Sequence, residues 1–205
     1  PAVSFSGFEP LALCRAISFN ILKLSALYGL DRSYFPTLLQ ITAEKCYIGP
    51  SSVSCAPAGY ISLRKGLRGE EFFTNSGRPL IDHEFSHQIP FVKFRYGFYE
   101  GFATLYSYQV WSQRLVKPPE IKETAFWNSS DPAEVFIHYY HAAYALQSAN
   151  DKYPGLIEFM IKLAKEIGND ITSKQLEQGL LDHYGEIEGK LRFDELKKYY
   201  WLWAA

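Results

Sequence analysis

The order of strand and helix patterns along the chain is what most constrains its fold. Short stretches rich in β-branched and apolar residues, typical of strands, occur in TLLQITAEKCYIG and GYISLRKGL, on either side of a loop rich in Pro and Ser. Apolar residues at three- and four-residue spacing, typical of amphipathic helices, cover 11–29 and most of the chain after residue 80. Strands that come early and helices that come late predict an α+β fold that is predominantly helical.

Pro, Gly and polar breaks bound the helical patterns. The helices expected after residue 80 span 80–87, 99–115, 133–151, 155–168 and 173–185. The last segment, LRFDELKKYYWLW, is interpreted as an apolar, aromatic tail that is too apolar to be left in water. We expect a single domain over 1–205, with an N-terminal helical segment at 1–35, a sheet and the motif-bearing helices at 36–115, and a helical C-terminal part at 130–205.

Charge and hydropathy exclude two classes of function. The formal net charge is −1, and the cluster of Arg64, Lys65 and Arg68 is interpreted as a solvated rim, so we expect no nucleic-acid partner. The most apolar run, LALCRAISFNILKLSALYGL, is interrupted by two cations and an asparagine. It therefore predicts an amphipathic helix and no transmembrane segment.

Cysteine usage and the N-terminal residues bear on the compartment. Cys46 and Cys55 bracket the loop between the two strand patterns and could close as a disulfide in an oxidising compartment, but two free thiols are the preferred interpretation. The sequence shows no basic leader followed by a small-residue cleavage site. We therefore expect a soluble protein; these features favour the cytoplasm but do not fix the compartment.

His83 and His87 give the strongest chemical signal, in the stretch HEFSH. Residues four apart on an α-helix are turned by about 40° and lie about 6 Å apart along the axis, so both imidazoles can point at one metal ion. Glu84 is turned by about 100° from His83, which keeps it outside the ligand set but beside it. There its carboxylate can take a proton from a water bound to zinc. The spacing predicts a zinc site that still needs a third protein ligand.

Glu100 is the candidate for that third ligand. It follows His87 after the turn in HQIPFVKFRYGF, and it stands in FYEGFATLYS among large apolar residues, where an unpaired carboxylate would be costly. The next residue, Gly101, would let the helix of Glu100 approach the helix of the two histidines closely. We therefore predict that His83, His87 and Glu100 bind Zn²⁺.

These residues carry a resemblance to a known family. HExxH followed by Glu-Gly-Phe-Ala resembles the motifs of the gluzincin metallopeptidases, the thermolysin-like and aminopeptidase-like branch of zinc peptidases, and above all their minimal single-domain members. The resemblance covers 38–168 at the level of patterns. It implies a zincin-like fold with a small mixed sheet, an edge strand over the cleft, metal-binding helices and a helical C-terminal part. It also implies a zinc-dependent peptidase acting on a peptide or protein substrate.

The resemblance further implies a residue that stabilises the oxyanion. Tyr140 matches the tyrosine that donates a hydrogen bond to the tetrahedral oxyanion, although the basic-Gly pair expected two residues later is absent and the neighbouring Tyr139 is an alternative. His138 and His141 could also help to bind the oxyanion. Their spacing is as typical of a helix surface, which is the preferred interpretation for both histidines.

Substrate binding and regulation are implied in the same way. An extended substrate would add to the edge strand at Gly59, Tyr60 and Ile61 through main-chain hydrogen bonds. The C-terminal tail either packs against the body or occupies the cleft, which would make this form a latent zymogen. The alternative function is a catalytically inactive or regulatory zinc-binding module of the same fold that serves protein recognition.

Overall fold

The computed structural model describes residues 2–6, 10–42, 59–62, 78–119, 132–168, 170–199 and 202–203. Over these residues the chain forms seven α-helices and a three-stranded sheet, which confirms the predicted, predominantly helical α+β class. None of the helices in this part of the chain combines the length and the apolar character that a bilayer crossing requires. Cys46, Cys55 and the basic cluster at 64–68 lie outside the described residues, so their interpretations stay predictions.

The elements follow one another in a simple order. The strands are β1 (Ala2–Ser6), β2 (Leu38–Thr42) and β3 (Tyr60–Ser62). The helices are α1 (Pro10–Tyr28), α2 (Arg78–Ser86), α3 (Tyr96–Gln109), α4 (Pro132–Lys152), α5 (Leu156–Ile167), α6 (Ser173–Tyr184) and α7 (Glu186–Lys197).

The chain divides into two compact units. The first comprises Pro1–Ile89 and Tyr106–Gln113, and the second comprises Pro90–Leu105 and Arg114–Ala205. Helix α3 contributes residues to both units. The single domain expected over 1–205 stays a prediction.

The sheet belongs to the first unit, and its strands run in the order β1-β2-β3. Both pairings are parallel, with Ala2 opposite Leu38 and Gln40 opposite Tyr60. Helix α1 joins β1 to β2, as the crossover between parallel neighbours requires. The described strands therefore do not form the mixed sheet that the resemblance implies. The sequence patterns do not predict β1, because its five residues AVSFS include two serines and give only a weak alternation.

The core of the first unit contains buried apolar residues from the sheet and from helices α1 and α2. Leu39 and Ile41 of β2 are fully buried while Gln40 between them is exposed, so one face of the strand meets the core. Phe35 and Phe85 stack in this core with ring centroids 6.4 Å apart. Phe85 lies on α2, so the apolar face of that helix is held against the first unit.

Helices α3 and α7 differ most from the predicted bounds. Helix α3 covers Tyr96–Gln109 rather than 99–115, because the chain turns after Gln109 with Ser112 in the left-handed region (φ 58°). No Gly or Pro marks this end in the sequence. Helix α7 covers part of the segment that was predicted to be an apolar tail. The sequence did not predict this helix, because Gly189 interrupts its periodicity. A Cβ atom at Gly189 would lie 2.5 Å from the backbone oxygen of Leu180, so the glycine is required for the packing of α7 on α6.

Candidate metal centre

Helix α2 places the two histidines as the spacing predicts. Its bounds are Arg78–Ser86, and the Gln88 amide continues the last turn by donating to the Phe85 carbonyl at 2.9 Å. The rings of His83 and His87 therefore lie side by side, with centroids 4.9 Å apart and planes at 83°. His87 is buried and His83 is half-buried.

Glu100 joins these histidines, as the sequence predicts. One ligand atom from each of His83, His87 and Glu100 lies within 4.8 Å of the other two. Ligand atoms of a tetrahedral zinc site with bonds of about 2.0–2.2 Å are separated by about 3.3–3.6 Å, so small side-chain rotations would bring the three onto one ion. Two imidazole nitrogens and one carboxylate oxygen are a donor set that catalytic zinc uses, with one position left for water or substrate. The group fits a divalent metal ion.

Two carboxylates are buried in this region. Glu84 is 6% exposed and Glu100 is 8% exposed. Removal of a carboxylate from water is costly, and a divalent cation offsets that cost. Glu84 follows His83 directly, so it is turned by about 100° from that ligand and lies beside the metal-binding group rather than in it. A general base needs such a position.

A buried polar network fixes α2 within the first unit. Asp82, which precedes His83, accepts hydrogen bonds from the Asn20 side-chain amide and from the Trp111 indole N–H, both at 2.8 Å. The Tyr106 hydroxyl donates to Asn20 Oδ1 at 2.7 Å. Burial, and then the charge of Asp82, raises the pKa of Tyr106, so its hydroxyl stays a donor. The network ties α2 to α1 and to the end of α3.

Gly101 permits a close helix approach, as predicted, but to a different helix. A Cβ atom at Gly101 would lie 2.8 Å from the Cβ of Ala142 and 2.9 Å from its carbonyl carbon. Ala142 belongs to α4, so the missing side chain allows α3 to pack on α4 rather than on the helix of the histidines. Since Glu100 precedes Gly101, this packing fixes the backbone from which its carboxylate extends.

Tyr140 is half-buried on α4, and its hydroxyl is engaged by the backbone of Val116. It donates to the Val116 carbonyl at 3.0 Å and accepts from the Val116 N–H at 2.9 Å. These two bonds attach the chain segment after α3 to α4, which is a structural role. Tyr139, the alternative, is also half-buried. A role for either hydroxyl at the oxyanion stays a prediction.

His138 and His141 are buried on α4, at 3% and 8% exposure, so their interpretation as a helix surface is wrong. Two histidines at three-residue spacing fit a buried face as well as an exposed one, and only packing decides between them. Desolvation, aided by His141 and opposed by Glu134, lowers the pKa of His138 to about 4. Burial also lowers the pKa of His141. Both imidazoles are therefore neutral at pH 7.

The three predicted substrate-binding residues lie at the start of β3, with Gly59 directly before its first residue. Gly59 has a φ of +76°, a left-handed conformation that favours glycine, and its carbonyl accepts from the Gln40 amide at 2.9 Å. Tyr60 is half-buried, whereas the side chain of Ile61 is fully buried and can offer only its backbone to a ligand. Among the described strands β3 lies at an edge of the sheet, as predicted.

Gln88 makes two hydrogen bonds near the candidate site that the sequence did not predict. Its Oε1 accepts from the Gly59 N–H at 2.7 Å, and its Nε2 donates to the Tyr60 carbonyl at 3.3 Å. Since Gln88 directly follows His87, the end of α2 is joined to the start of β3 next to a metal ligand. The only local signal is a glutamine after the HExxH motif, and no local pattern pairs it with residues so distant in the chain.

Comparisons of the chain with protein-family models, with curated proteins and with solved structures find no match. What can be said of its function therefore comes from the residues and their geometry.

The described part of the C-terminal tail packs within the second unit. The Trp203 ring contacts Phe98 and Phe193, at centroid distances of 4.9 and 5.7 Å, and its indole N–H donates to the Leu196 carbonyl at 2.9 Å. Phe98 precedes Glu100 by two residues, and such residues are turned by about 200° on a helix. Trp203 therefore contacts the side of α3 that faces away from Glu100. These contacts support packing against the body.

Proposed function

We propose that this protein is a zinc-dependent peptidase in which His83, His87 and Glu100 hold the metal ion and Glu84 is the general base. The observation that carries the proposal is the approach of one ligand atom from each of the three residues to within 4.8 Å of the others. Glu84, whose carboxylate is buried, directly follows the ligand His83 in the chain. The gluzincin resemblance assigns the same four residues to the same roles.

The side chains divide the chemical work between them. Zinc bound here would supply a Lewis acid that polarises the scissile carbonyl and lowers the pKa of water toward ~7. Glu84 accepts the proton of the attacking water and then donates it to the leaving amine. A tyrosine hydroxyl, from Tyr140 or Tyr139, would donate a hydrogen bond to the oxyanion. For Tyr140 this requires that its bond to the Val116 carbonyl be given up.

Two further features favour zinc and a peptide substrate. The donor set alone also suits non-haem iron, which binds two histidines and a carboxylate. Glu84 favours hydrolysis, because a carboxylate beside the ligands is what the activation of water requires. Strand β3 is attached to α2 through Gln88 and lies at an edge of the described sheet, where an extended backbone could pair with it.

Metal content tests the ligand group directly. Protein purified without added metal is expected to contain zinc at one equivalent per chain, and the His87→Ala variant is expected to contain only traces. Loss of one of three protein ligands removes a large part of the binding free energy. The measurement is elemental analysis, with circular dichroism to show that the variant is folded.

His183→Ala is the matched control, since His183 is exposed on α6 and lies outside the ligand group. It should keep its zinc. Unchanged zinc in His87→Ala, or stoichiometric iron in the natural protein, would overturn the assignment. Zinc binding without hydrolysis of casein would contradict the proposed peptidase activity. It would support the alternative function, a catalytically inactive zinc-binding module.

The tail gives a separate prediction. Trp203→Ala is expected to lower the free energy of unfolding by about 2 kcal/mol, because it removes a half-buried ring from Phe98 and Phe193. Casein hydrolysis per folded molecule should stay unchanged. Urea denaturation and an activity assay measure the two quantities, with Leu191→Ala, which alters an exposed residue of α7, as the control. A rise in activity would instead support the latent form.

A further inference from the structure

We propose that Gln88 is a positioning residue, which sets strand β3 relative to α2 and so determines where an extended peptide pairs with the edge of the sheet. The inference rests on the proposed peptidase function and names the element of that site that binds the substrate backbone. Gln88 itself is assigned no contact with the reacting atoms.

The Gln88 carboxamide bonds two consecutive residues, Gly59 directly before β3 and Tyr60 at its start. Its oxygen accepts from the Gly59 N–H and its nitrogen donates to the Tyr60 carbonyl. One planar group thus supplies an acceptor to Gly59 and a donor to Tyr60. Gln88 is half-buried, and two bonds from one side chain fix both the distance and the orientation of the strand.

The pairing of β3 with β2 decides which backbone groups face outward. The Gly59 carbonyl accepts from the Gln40 amide, so this carbonyl and the backbone groups of Ile61 point toward β2. The N–H of Gly59, a residue with a positive φ, is directed to Gln88 instead. The backbone groups of Tyr60 and Ser62 point to the other side. Gln88 engages the outward carbonyl of Tyr60. The two bonds of Gln88 to Gly59 and Tyr60 are called the Gln88 clamp. Beyond this clamp, β3 directs the N–H and the carbonyl of Ser62 outward, and we assign the main peptide contact to this pair.

The side-chain chemistry separates two variants at position 88 from the natural glutamine. Leucine has a similar shape and can make neither bond. Glutamate can still accept from the Gly59 N–H, but its second oxygen would face the Tyr60 carbonyl and repel it. The effect on the strand should therefore increase from glutamine through glutamate to leucine.

Steady-state hydrolysis of fluorescein-labelled casein tests the proposal. Gln88→Leu is expected to raise KM by about tenfold, and Gln88→Glu by a smaller factor, while kcat stays within about threefold. Both variants should keep one equivalent of zinc. The Gly59 amide should exchange hydrogen faster in Gln88→Leu, which reports on the clamp independently of activity. Gln113→Leu, at an exposed glutamine of the first unit, is the control for removal of a carboxamide.

The outcomes separate this inference from the proposed function. If Gln88→Leu is active and its KM equals that of the natural protein, the positioning role is overturned, while the proposed peptidase function still stands. Loss of zinc together with kcat would show that Gln88 supports the metal ligands instead, which also overturns it. If the natural protein binds no zinc or does not hydrolyse casein, the proposed function fails first. If Gln88→Leu does not fold, Gln88→Glu decides, since a natural KM in that variant contradicts the role.

Discussion

Glu84→Gln is expected to lower casein hydrolysis by about 10²- to 10⁴-fold while the zinc content stays at one equivalent. The amide has the same shape as the carboxylate but cannot accept the proton of the attacking water. Glu84 lies beside the ligand group and not in it, so metal binding should survive the change. Activity assays combined with elemental analysis measure the two quantities on one sample.

Glu166→Gln is the matched control, because Glu166 is an exposed carboxylate on α5. It should change neither rate nor zinc content. Full activity in Glu84→Gln would remove Glu84 from its role as base, whatever the metal content. Loss of zinc along with activity would instead make Glu84 part of the support of the ligands.

Gly101→Ala is expected to lower the free energy of unfolding by about 2–3 kcal/mol. The new methyl group would lie 2.8 Å from the Cβ and 2.9 Å from the carbonyl carbon of Ala142, and backbone atoms cannot rotate away. Helices α3 and α4 must therefore move apart. Because Glu100 is the neighbouring residue, its carboxylate should shift as well, and zinc affinity should fall by roughly tenfold or more. Urea denaturation and competition with a chelator measure the two effects.

Gly179→Ala is a matched control at another helical glycine. There the atoms nearest to the new methyl group would be side-chain atoms of Leu163, at 2.8 Å and beyond, and this side chain can change rotamer. Its cost should be below about 1 kcal/mol, since alanine also favours the helix. Ala142→Gly combined with Gly101→Ala should restore part of the lost stability, because it removes the nearest contact. Equal stability of the two single variants would contradict the close packing of α3 on α4.

The helices that the sequence predicted best are those with strong periodicity and clear ends. Helix α5 is the clearest, since its apolar face is continuous and Gly168 ends it in the left-handed conformation that glycine favours. Helix α7 escaped prediction because Gly189, needed for contact with α6, reads locally as a break. The end of α3 escaped because a serine, rather than Gly or Pro, takes the left-handed position.

The candidate site also has features that the sequence predicts and features that it does not. The relation between His83, His87 and Glu84 follows from the helical period alone, so the sequence predicts it. The clamp of Gln88 on Gly59 and the bond of Asp82 with Asn20 join residues far apart in the chain. Such contacts depend on how elements pack, and no short pattern encodes them.

By itself, the sequence determined a helical α+β chain and a pair of imidazoles with a carboxylate beside them, because helix geometry relates residues one turn apart. Only the tertiary structure decided that Glu100 comes within reach of both rings and that His138 and His141 are buried. It also decided that the sheet strands run parallel and that Trp203 packs on the side of α3 away from Glu100. These features depend on contacts between distant segments, where burial and close packing, rather than local conformation, select the arrangement.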